Sequence, residues 1–332
     1  MQLKEKIGSL FVVGFDGTSP GNDLIGLVRE QMIGGVVLFK RNVKNSAQIR
    51  ELNEKIIAAG GGRPMIVSID HEGGRVFRLP SPPFTHWRPM ADVGEAFKKR
   101  GDEQIAYRIG KKMAEELNGV GFNLNFAPVL DVNTNIKNPV IGDRAFSADA
   151  KVVAMLGCEL IRGLQENGVM ACGKHFPGHG DTNLDSHEAL PTVPHTIGRL
   201  EAVELIPFRA AMDAGVKSMM TAHVMYPSID KEMPATLSPL IINGLLRRHL
   251  GFDGAVFSDD LQMKALSLKW GLGESARLAL MAGCDICLIC RDTAAQKEAI
   301  EHLISSARTG KLPESVVNAA YLRVEKLLKN AR

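Results

Sequence analysis

Eight short apolar segments recur along the chain, separated by longer amphipathic ones. Each is nearly continuous instead of alternating between apolar and polar residues, which is typical of strands buried on both faces of a parallel sheet. Eight such strands with helices between them are the number needed for a closed (β/α)8 barrel, and this TIM-type α/β barrel is the predicted fold. The predicted strands are 9–13, 35–39, 64–69, 123–127, 169–173, 218–222, 254–258 and 286–290.

The segments between the strands have the pattern of amphipathic helices. Ser46 is the expected N-cap of one helix, and Asp102 and Asp149 are expected to cap two others; all three helices end at a glycine. Two connections, 70–104 and 125–150, exceed ordinary loop length, which indicates a functional role. No linker divides the chain, so a single domain over 1–332 is expected. The predicted helices are 46–59, 102–119, 149–168, 197–215, 239–250, 293–309 and 313–330.

Composition narrows the possible partners. The chain has 332 residues, 45% of them hydrophobic, and a net charge of only +3. With no basic run, this charge gives no indication of nucleic-acid binding. The first residues lack the apolar core of a signal peptide, and no apolar run approaches the ~18 residues of a membrane span. Together with an odd number of cysteines, five, this predicts a cytoplasmic protein without a membrane partner, and we expect a monomer.

Cys284, Cys287 and Cys290 form a CxxCxxC pattern. An iron–sulfur or zinc site would need a fourth ligand, and the chain has no second cysteine pair. The surrounding residues are nearly all apolar, and free cysteine behaves as a small hydrophobic residue. The pattern therefore favours a buried strand over a metal site.

In (β/α)8 barrels the active site lies at the C-terminal ends of the strands, where this chain has its chemically capable side chains. Charged groups at one barrel mouth suit a polyhydroxylated substrate, because charged hydrogen bonds to hydroxyls are directional and strong. The relevant segments are 70–78 after strand three, 128–133 and 142–144 after strand four, 174–175 after strand five, His223 after strand six and 258–260 in strand seven.

The segment 174–187 (KHFPGHGDTNLDSH) concentrates three histidines, two aspartates and two glycines. Histidine serves both acid–base catalysis and metal ligation, so this segment is either a catalytic loop or a metal site. An aspartate such as Asp185 can fix the tautomer of a nearby imidazole, here His187, and leave its other nitrogen for proton transfer. Asp259 follows an apolar strand directly, where a carboxylate can act as a nucleophile toward an anomeric carbon.

The motifs in these segments resemble the bacterial β-N-acetylhexosaminidases of glycoside hydrolase family 3, of the cytoplasmic type that acts in peptidoglycan recycling. The resemblance extends over about residues 10–285 and is specific because several motifs occur in the right order. Its motifs are 34–39 (GGVVLF), 69–78 (IDHEGGRVFR), 174–182 (KHFPGHGDT), 185–187 (DSH), 220–224 (MTAHV) and 257–263 (FSDDLQM).

The resemblance implies a retaining exo-β-N-acetylglucosaminidase that needs no cofactor. Asp259 would attack the anomeric carbon and form a glycosyl-enzyme intermediate. His187, oriented by Asp185, would protonate the leaving oxygen and later activate water. The implied substrates are muropeptides in which N-acetylglucosamine is linked to 1,6-anhydro-N-acetylmuramic acid. The residues implied to bind the N-acetylglucosamine unit are Asp70, Arg78, Arg144, Lys174 and His175.

Several assignments stay open at the level of sequence. Asp131, His179 and Asp181 can bind substrate or brace loops, and His223 is favoured as a structural or supporting residue. Asp260 is expected to be structural, because two adjacent carboxylates facing the site would raise each other's pKa.

Three rival functions also stay open. The first is a metal-dependent barrel hydrolase with His175, His179, Asp181 and His187 as ligands. The second is a non-catalytic sugar-binding barrel, against which the presence of both Asp259 and His187 counts. The third is a phosphorylase that acts on the same glycosides.

One difference from the family pattern is His71, where many relatives have glutamine. A further hypothesis concerns motion: Gly178 and Gly180 are predicted to act as a hinge that lets the loop close and deliver Asp185 and His187.

Overall fold

The computed structural model describes residues 1–186 and 189–329. Its eight strands form one closed barrel in sequence order, with β8 paired to β1, and every strand pair is parallel. This confirms the predicted (β/α)8 barrel. Strands β1 to β8 are Phe11–Val13, Gly35–Leu38, Ile66–Ile69, Leu124–Asn125, Met170–Phe176, Ser218–Thr221, Ala255–Asp260 and Ile286–Ile289.

Helices connect successive strands on the outside of the barrel. The connection from β6 to β7 contains a π-helix, Leu240–His249, and short 3-10 helices lie at 40–42, 142–144 and 235–237. No helix in the described part of the chain is both long and apolar enough to cross a membrane. Helices α1 to α12 are Leu3–Ser9, Asn22–Glu30, Ser46–Ala59, Met90–Arg100, Ile105–Asn118, Ala150–Gln165, Ile197–Ala202, Leu205–Asp213, Lys264–Ser267, Leu272–Ala282, Thr293–Arg308 and Glu314–Lys329.

The helix ends correct three sequence predictions. The N-cap of α3 is Asn45, not Ser46, since the Asn45 side chain accepts a hydrogen bond from the amide of Gln48. Asp102 does not cap a helix but pairs with Arg108, and α5 begins at Ile105. The predicted helix 197–215 is broken into α7 and α8 at Val203, which lies outside the helical region of backbone conformation. The Asp149 cap is confirmed.

Burial explains why the strands are recognisable as continuous apolar runs. Every residue of β1 to β6 and β8 is buried, because barrel side chains and the outer helices cover both faces of the sheet. Only β7 ends in partly exposed residues, Asp259 and Asp260. Its pairing with β8 shifts register between Phe257 and Asp260, and β5 shifts against β6 between Gly173 and Phe176. Both irregularities lie at the barrel mouth, where the polar side chains are found.

Candidate active site

The C-terminal mouth of the barrel encloses a cavity of about 550 Å³. Six of the residues predicted from sequence line it: Asp70, Arg78, Arg144, Lys174, His175 and Asp259. Asp70 and Arg78 follow β3 and Arg144 follows β4, whereas Lys174 and His175 lie in β5 and Asp259 lies in β7. Only closure of the sheet brings them together. Asp185 is described and half-buried but does not line the cavity, whereas its neighbour Ser186 does. His187 lies outside the described residues.

A buried ion-pair cluster forms one side of the cavity. The Lys174 Nζ atom lies 2.7 Å from Asp70 Oδ1 and 2.6 Å from Glu72 Oε1. Arg144 donates two parallel hydrogen bonds of 2.8 Å, from Nε and one Nη, to the two carboxylate oxygens of Glu72. We call Asp70, Glu72, Arg144, Lys174 and the adjoining His175 the inner wall.

The inner wall is charge-balanced although it is buried. Burial alone would raise the pKa of Glu72, but Arg144 and Lys174 outweigh it and hold that pKa well below its ordinary value of 4.5. Burial would likewise lower the pKa of Lys174, yet the carboxylates of Asp70 and Glu72 raise it. Glu72, Arg144 and Lys174 therefore stay ionised at neutral pH, fixed in position to hydrogen-bond a polar ligand.

Glu72 is a site residue that sequence reasoning missed. It is 3% exposed and contacts both cations of the inner wall, so it orients Arg144 and Lys174 toward the cavity. A signal was present in the segment 70–72, because residues two apart in an extended chain point to the same side. The side chain of Glu72 is therefore expected to point to the same side of the chain as that of Asp70, a predicted ligand.

The two arginines after β3 have different positions. Arg78 lines the cavity, and its buried Nε atom has no hydrogen-bond partner among the described residues. Arg75 instead donates to the carbonyls of Val140 and Ile141 and pairs with Asp143, so it braces the neighbouring loop. This division agrees with the choice of Arg78 over Arg75 as a ligand.

His175 is held by a buried aspartate. Its Nδ1 atom lies 2.7 Å from Asp131 Oδ2, and Asp131 Oδ1 accepts from the backbone amides of His175 and His179. Burial by itself would raise the pKa of Asp131, but His175 and His179 outweigh it and lower that pKa. An ionised Asp131 keeps the proton of His175 on Nδ1 and leaves Nε2 for the cavity. These contacts favour a role for Asp131 in positioning His175 and the start of the loop.

Asp259 is positioned by the end of β7. Its Oδ1 atom accepts a 2.8 Å hydrogen bond from the amide of Asp260. The Asp260 carboxyl accepts from the amides of Gln262 and Cys290, so it supports the backbone, as expected. Burial, and to a smaller degree the charge of Asp259, raises the pKa of Asp260.

His223 supports the same strand end from β6. It is fully buried, its Nε2 atom lies 3.0 Å from the Asp260 carbonyl oxygen, and its Nδ1 atom lies 2.7 Å from the Thr236 hydroxyl. Burial lowers the pKa of His223, so the ring is neutral and Nε2 donates to the carbonyl. The predicted supporting role of His223 agrees with these contacts.

The predicted acid belongs to the loop 178–195, of which residues 178–186 and 189–195 are described; its described residue His179 lies beside the inner wall, 5.8 Å from His175 between ring centroids. His179 is 1% exposed; its Nε2 atom lies 3.1 Å from the Ser186 hydroxyl and its Nδ1 atom 2.9 Å from the Thr182 hydroxyl. Burial lowers the pKa of His179 to about 4, so it is neutral at neutral pH. His179 therefore braces the loop from inside, and Asp181 braces it from outside through a 2.6 Å contact with His195 Nε2.

The two glycines of this loop have packing roles that the hinge hypothesis did not anticipate. A Cβ atom at Gly180 would lie 1.8 Å from the carbonyl oxygen of Val132. Gly178 has a φ of +133°, which L side chains rarely adopt. Alanine at either position would disturb the closed arrangement itself, so such variants cannot test for a hinge.

The described members of the predicted metal site contact different partners. His175 binds Asp131, His179 binds Ser186 and Thr182, and Asp181 binds His195. Across 1–186 and 189–329, no group of three or more histidine, cysteine or acidic side chains is arranged to hold a metal ion. The fourth proposed ligand, His187, lies outside these residues.

The three cysteines of the CxxCxxC pattern do not converge. Cys284 Sγ contacts the Thr236 carbonyl, Cys287 Sγ contacts the Ala276 carbonyl in α10, and Cys290 lines the cavity. Burial raises the pKa of all three thiols. These contacts favour the structural interpretation of the pattern.

His71, the position that differs from the family pattern, is buried in the structure. Its ring is buried against Phe77, with centroids 4.6 Å apart, and neither ring nitrogen has a hydrogen-bond partner in the described part of the chain. Burial, and then the charge of Arg78, lowers the pKa of His71 to about 3. Its backbone is tied to the Asn125 side chain, so this position anchors the start of the 70–104 connection.

Comparison with known proteins gives one consistent family. Residues 2–327 match the model of the glycosyl hydrolase family 3 N-terminal domain. A protein named β-hexosaminidase from Thiobacillus denitrificans is 42% identical over 276 residues, which are 82% of this chain and 76% of that protein.

Solved structures agree with this family. A family 3 β-N-acetylglucosaminidase from Paenibacillus sp. FPU-7 superposes with a TM-score of 0.96 at 42% identity, over 100% of this chain. This chain spans 63% of the length of that protein. NagZ from Neisseria gonorrhoeae, solved with N-trifluoroacetyl-D-glucosamine, has a TM-score of 0.81 at 32% identity, over 97% of this chain and 98% of its own.

Proposed function

The chain belongs to glycosyl hydrolase family 3, and from that premise we propose that it is a retaining exo-β-N-acetylglucosaminidase. The observation that carries the proposal is the shared cavity: the carboxylate of Asp259 faces the same 550 Å³ space as Asp70, Arg78, Arg144, Lys174 and His175. The relatives named above as β-hexosaminidase and β-N-acetylglucosaminidase support the sugar specificity.

The inner wall and Arg78 hold the sugar. A pyranose presents hydroxyl and amide groups around its ring, and the polar side chains of the inner wall offer acceptors and donors already fixed in place. Because Glu72 and Asp131 position Lys174, Arg144 and His175, little ordering of these side chains remains to be done when the sugar binds.

The reaction proceeds in two displacements. An oxygen of Asp259 attacks the anomeric carbon and the bond from that carbon to the leaving oxygen breaks. His187 protonates the leaving oxygen, and the role proposed for Asp185 is to orient His187. In the second step His187 takes a proton from water, whose oxygen attacks the anomeric carbon and releases Asp259. Most retaining glycosidases use a second carboxyl group for this acid–base role.

The physiological substrates proposed are muropeptides in which N-acetylglucosamine is linked to 1,6-anhydro-N-acetylmuramic acid, released during cell-wall recycling. We place the enzyme in the cytoplasm, as a monomer that needs no cofactor. The complex of the Neisseria gonorrhoeae relative with an N-acylated glucosamine supports recognition of the sugar.

Trapping of the intermediate tests the mechanism. A 5-fluoro N-acetylglucosaminyl fluoride keeps the 2-acetamido group and slows both steps, so we expect mass spectrometry to find a glycosyl adduct on the peptide that contains Asp259. Asp259→Ala is the control and should give no adduct. An adduct on another carboxylate, or none on an enzyme that turns over, would contradict the assignment of Asp259.

A further inference from the structure

The cavity has a second side that the bound sugar does not explain. The inner wall comes from the connections after β3, β4 and β5, whereas the opposite side comes from those after β2, β7 and β8. That side carries Lys40, Arg41, Lys264 and Arg291, all of them exposed and all lining the cavity.

The charge of the cavity is unbalanced because of this side. Seven lysines and arginines and four carboxyl groups line the cavity among the described residues. Two of the carboxylates, Asp70 and Glu72, are already paired with Lys174 and Arg144. Of the other five cations, Arg78 follows β3 and the remaining four lie on the outer side. Asp259 and Asp260 of β7 are the only other carboxyl groups among the described lining residues, so the outer side keeps an excess of positive charge.

Hydrogen bonds tie the three outer loops to one another. Arg41 donates to the Cys290 carbonyl at 2.5 Å, and the Arg291 amide donates to Gln262 Oε1 at 2.7 Å. Arg41 also pairs with Asp16, so its charge is already used. Lys40, Lys264 and Arg291 form no ion pair with any carboxylate in 1–186 or 189–329. We call these three side chains the outer rim.

An N-acetylglucosamine unit is uncharged, so it does not neutralise the positive charge of the outer rim. We propose that the outer rim is a subsite for an anionic leaving group, and that Lys40, Lys264 and Arg291 recognise a carboxylate on the sugar or peptide beyond the scissile bond. The inference rests on the proposed function, since it assigns the group that departs from Asp259. Exposed cations on loops suit this task, because they can follow carboxylates at somewhat different positions.

The test compares two substrates that differ in one charge. One is N-acetylglucosaminyl-1,6-anhydro-N-acetylmuramic acid with its free lactyl carboxylate, and the other is the methylamide of that carboxylate. We expect the wild-type enzyme to prefer the acid by about tenfold in kcat/KM, the sum of three modest charge contacts. The preference should shrink at about 0.5 M salt, because exposed charges are screened.

The variant Lys40→Gln/Lys264→Gln/Arg291→Gln should lower the ratio of the two kcat/KM values to near one. The matched control is Lys44→Gln, an exposed lysine on the same loop as Lys40 that does not line the cavity; its ratio should equal that of the wild type. The subsite can also be tested without any substitution. The leaving group 1,6-anhydro-N-acetylmuramic acid and its methylamide are compared as competitive inhibitors of the wild type at low and high salt.

Each of the following outcomes would overturn the proposed subsite. Equal rates of the wild type on the two substrates, or an unchanged ratio in the triple variant, would exclude a carboxylate subsite while leaving the proposed hydrolysis intact. If phosphate accelerates release of the sugar as its 1-phosphate and only the triple variant loses this effect, the outer rim binds the acceptor instead. A wild type that cleaves neither substrate would overturn both the subsite and the proposed function.

Discussion

The inner wall and the 178–195 loop both face the cavity, but different forces hold them. The inner wall is fixed by buried ion pairs, with Lys174 2% and Glu72 3% exposed. The loop is braced by neutral hydrogen bonds, chiefly those of His179 to Ser186 and Thr182, and by the partly exposed pair of Asp181 and His195. In the proposed mechanism, the sugar binds to the firmly held surface and the proton donor lies on the more weakly held one, which suits a group that must meet different leaving groups.

The largest effect is expected at Asp259, which belongs neither to the inner wall nor to the 178–195 loop. Asp259→Ala removes the proposed nucleophile, and we expect kcat on an aryl N-acetylglucosaminide to fall at least about a thousandfold. The matched control is Asp260→Asn, which keeps an oxygen for the amides of Gln262 and Cys290 and should lose far less. Equal losses of kcat in both variants would show that Asp259 contributes only to the structure at the end of β7.

Glu72→Gln breaks the inner wall and should mainly affect stability and KM. Removing one partner of a buried ionic cluster leaves Arg144 and Lys174 undercompensated, at a cost of about 3 kcal/mol in the free energy of unfolding. Denaturant unfolding and the KM for the aryl glycoside measure the two effects. Glu115→Gln, on a half-exposed surface pair with Lys112, is the control and should change neither.

The loss of unfolding free energy in Glu72→Gln should depend on pH, and the direction follows from the lowered pKa of Glu72. Because the folded state lowers the pKa of Glu72 below 4.5, ionised Glu72 stabilises the folded chain fully above that pH, and the contribution is lost as the pH falls further. The stability difference between wild type and Glu72→Gln should therefore be constant from about pH 6 to 8 and shrink below pH 4.5. A difference that grows on acidification would contradict the proposed pairing.

The smallest effect is expected in the loop. Ser186→Ala removes one hydrogen bond to His179, worth about 1 kcal/mol, so kcat should fall about fivefold with little change in KM. If the loop positions the acid, the loss will be larger for poor leaving groups than for nitrophenol, which departs with little proton donation. Ser186→Thr keeps the hydroxyl and should recover most of the rate. The same loss for all leaving groups would assign Ser186 to packing alone.

Much of the site was predictable because motif and strand position agreed. Asp70, Lys174, His175 and Asp259 lie at the ends of the strands predicted from sequence, so a barrel prediction already brings them to one mouth. Glu72 and Ser186 were missed, since their importance comes from partners 102 and seven positions away, respectively. The helix break at Val203 was also missed, although Pro207 signals it: proline has no N–H to donate to the carbonyl of residue 203, and its ring clashes with that carbonyl.

The sequence by itself determined the number of strands, their parallel arrangement and the chemistry at the barrel mouth, because continuous burial and strand-end polar residues leave a pattern along the chain. Only the tertiary structure decided which charges neutralise one another. It pairs Glu72 with Arg144 and Lys174, ties Asp131 to His175 and leaves the outer rim without a described counter-charge. The reason is physical: burial depends on a local pattern of side chains, whereas electrostatic pairing depends on distances that exist only after the barrel has closed.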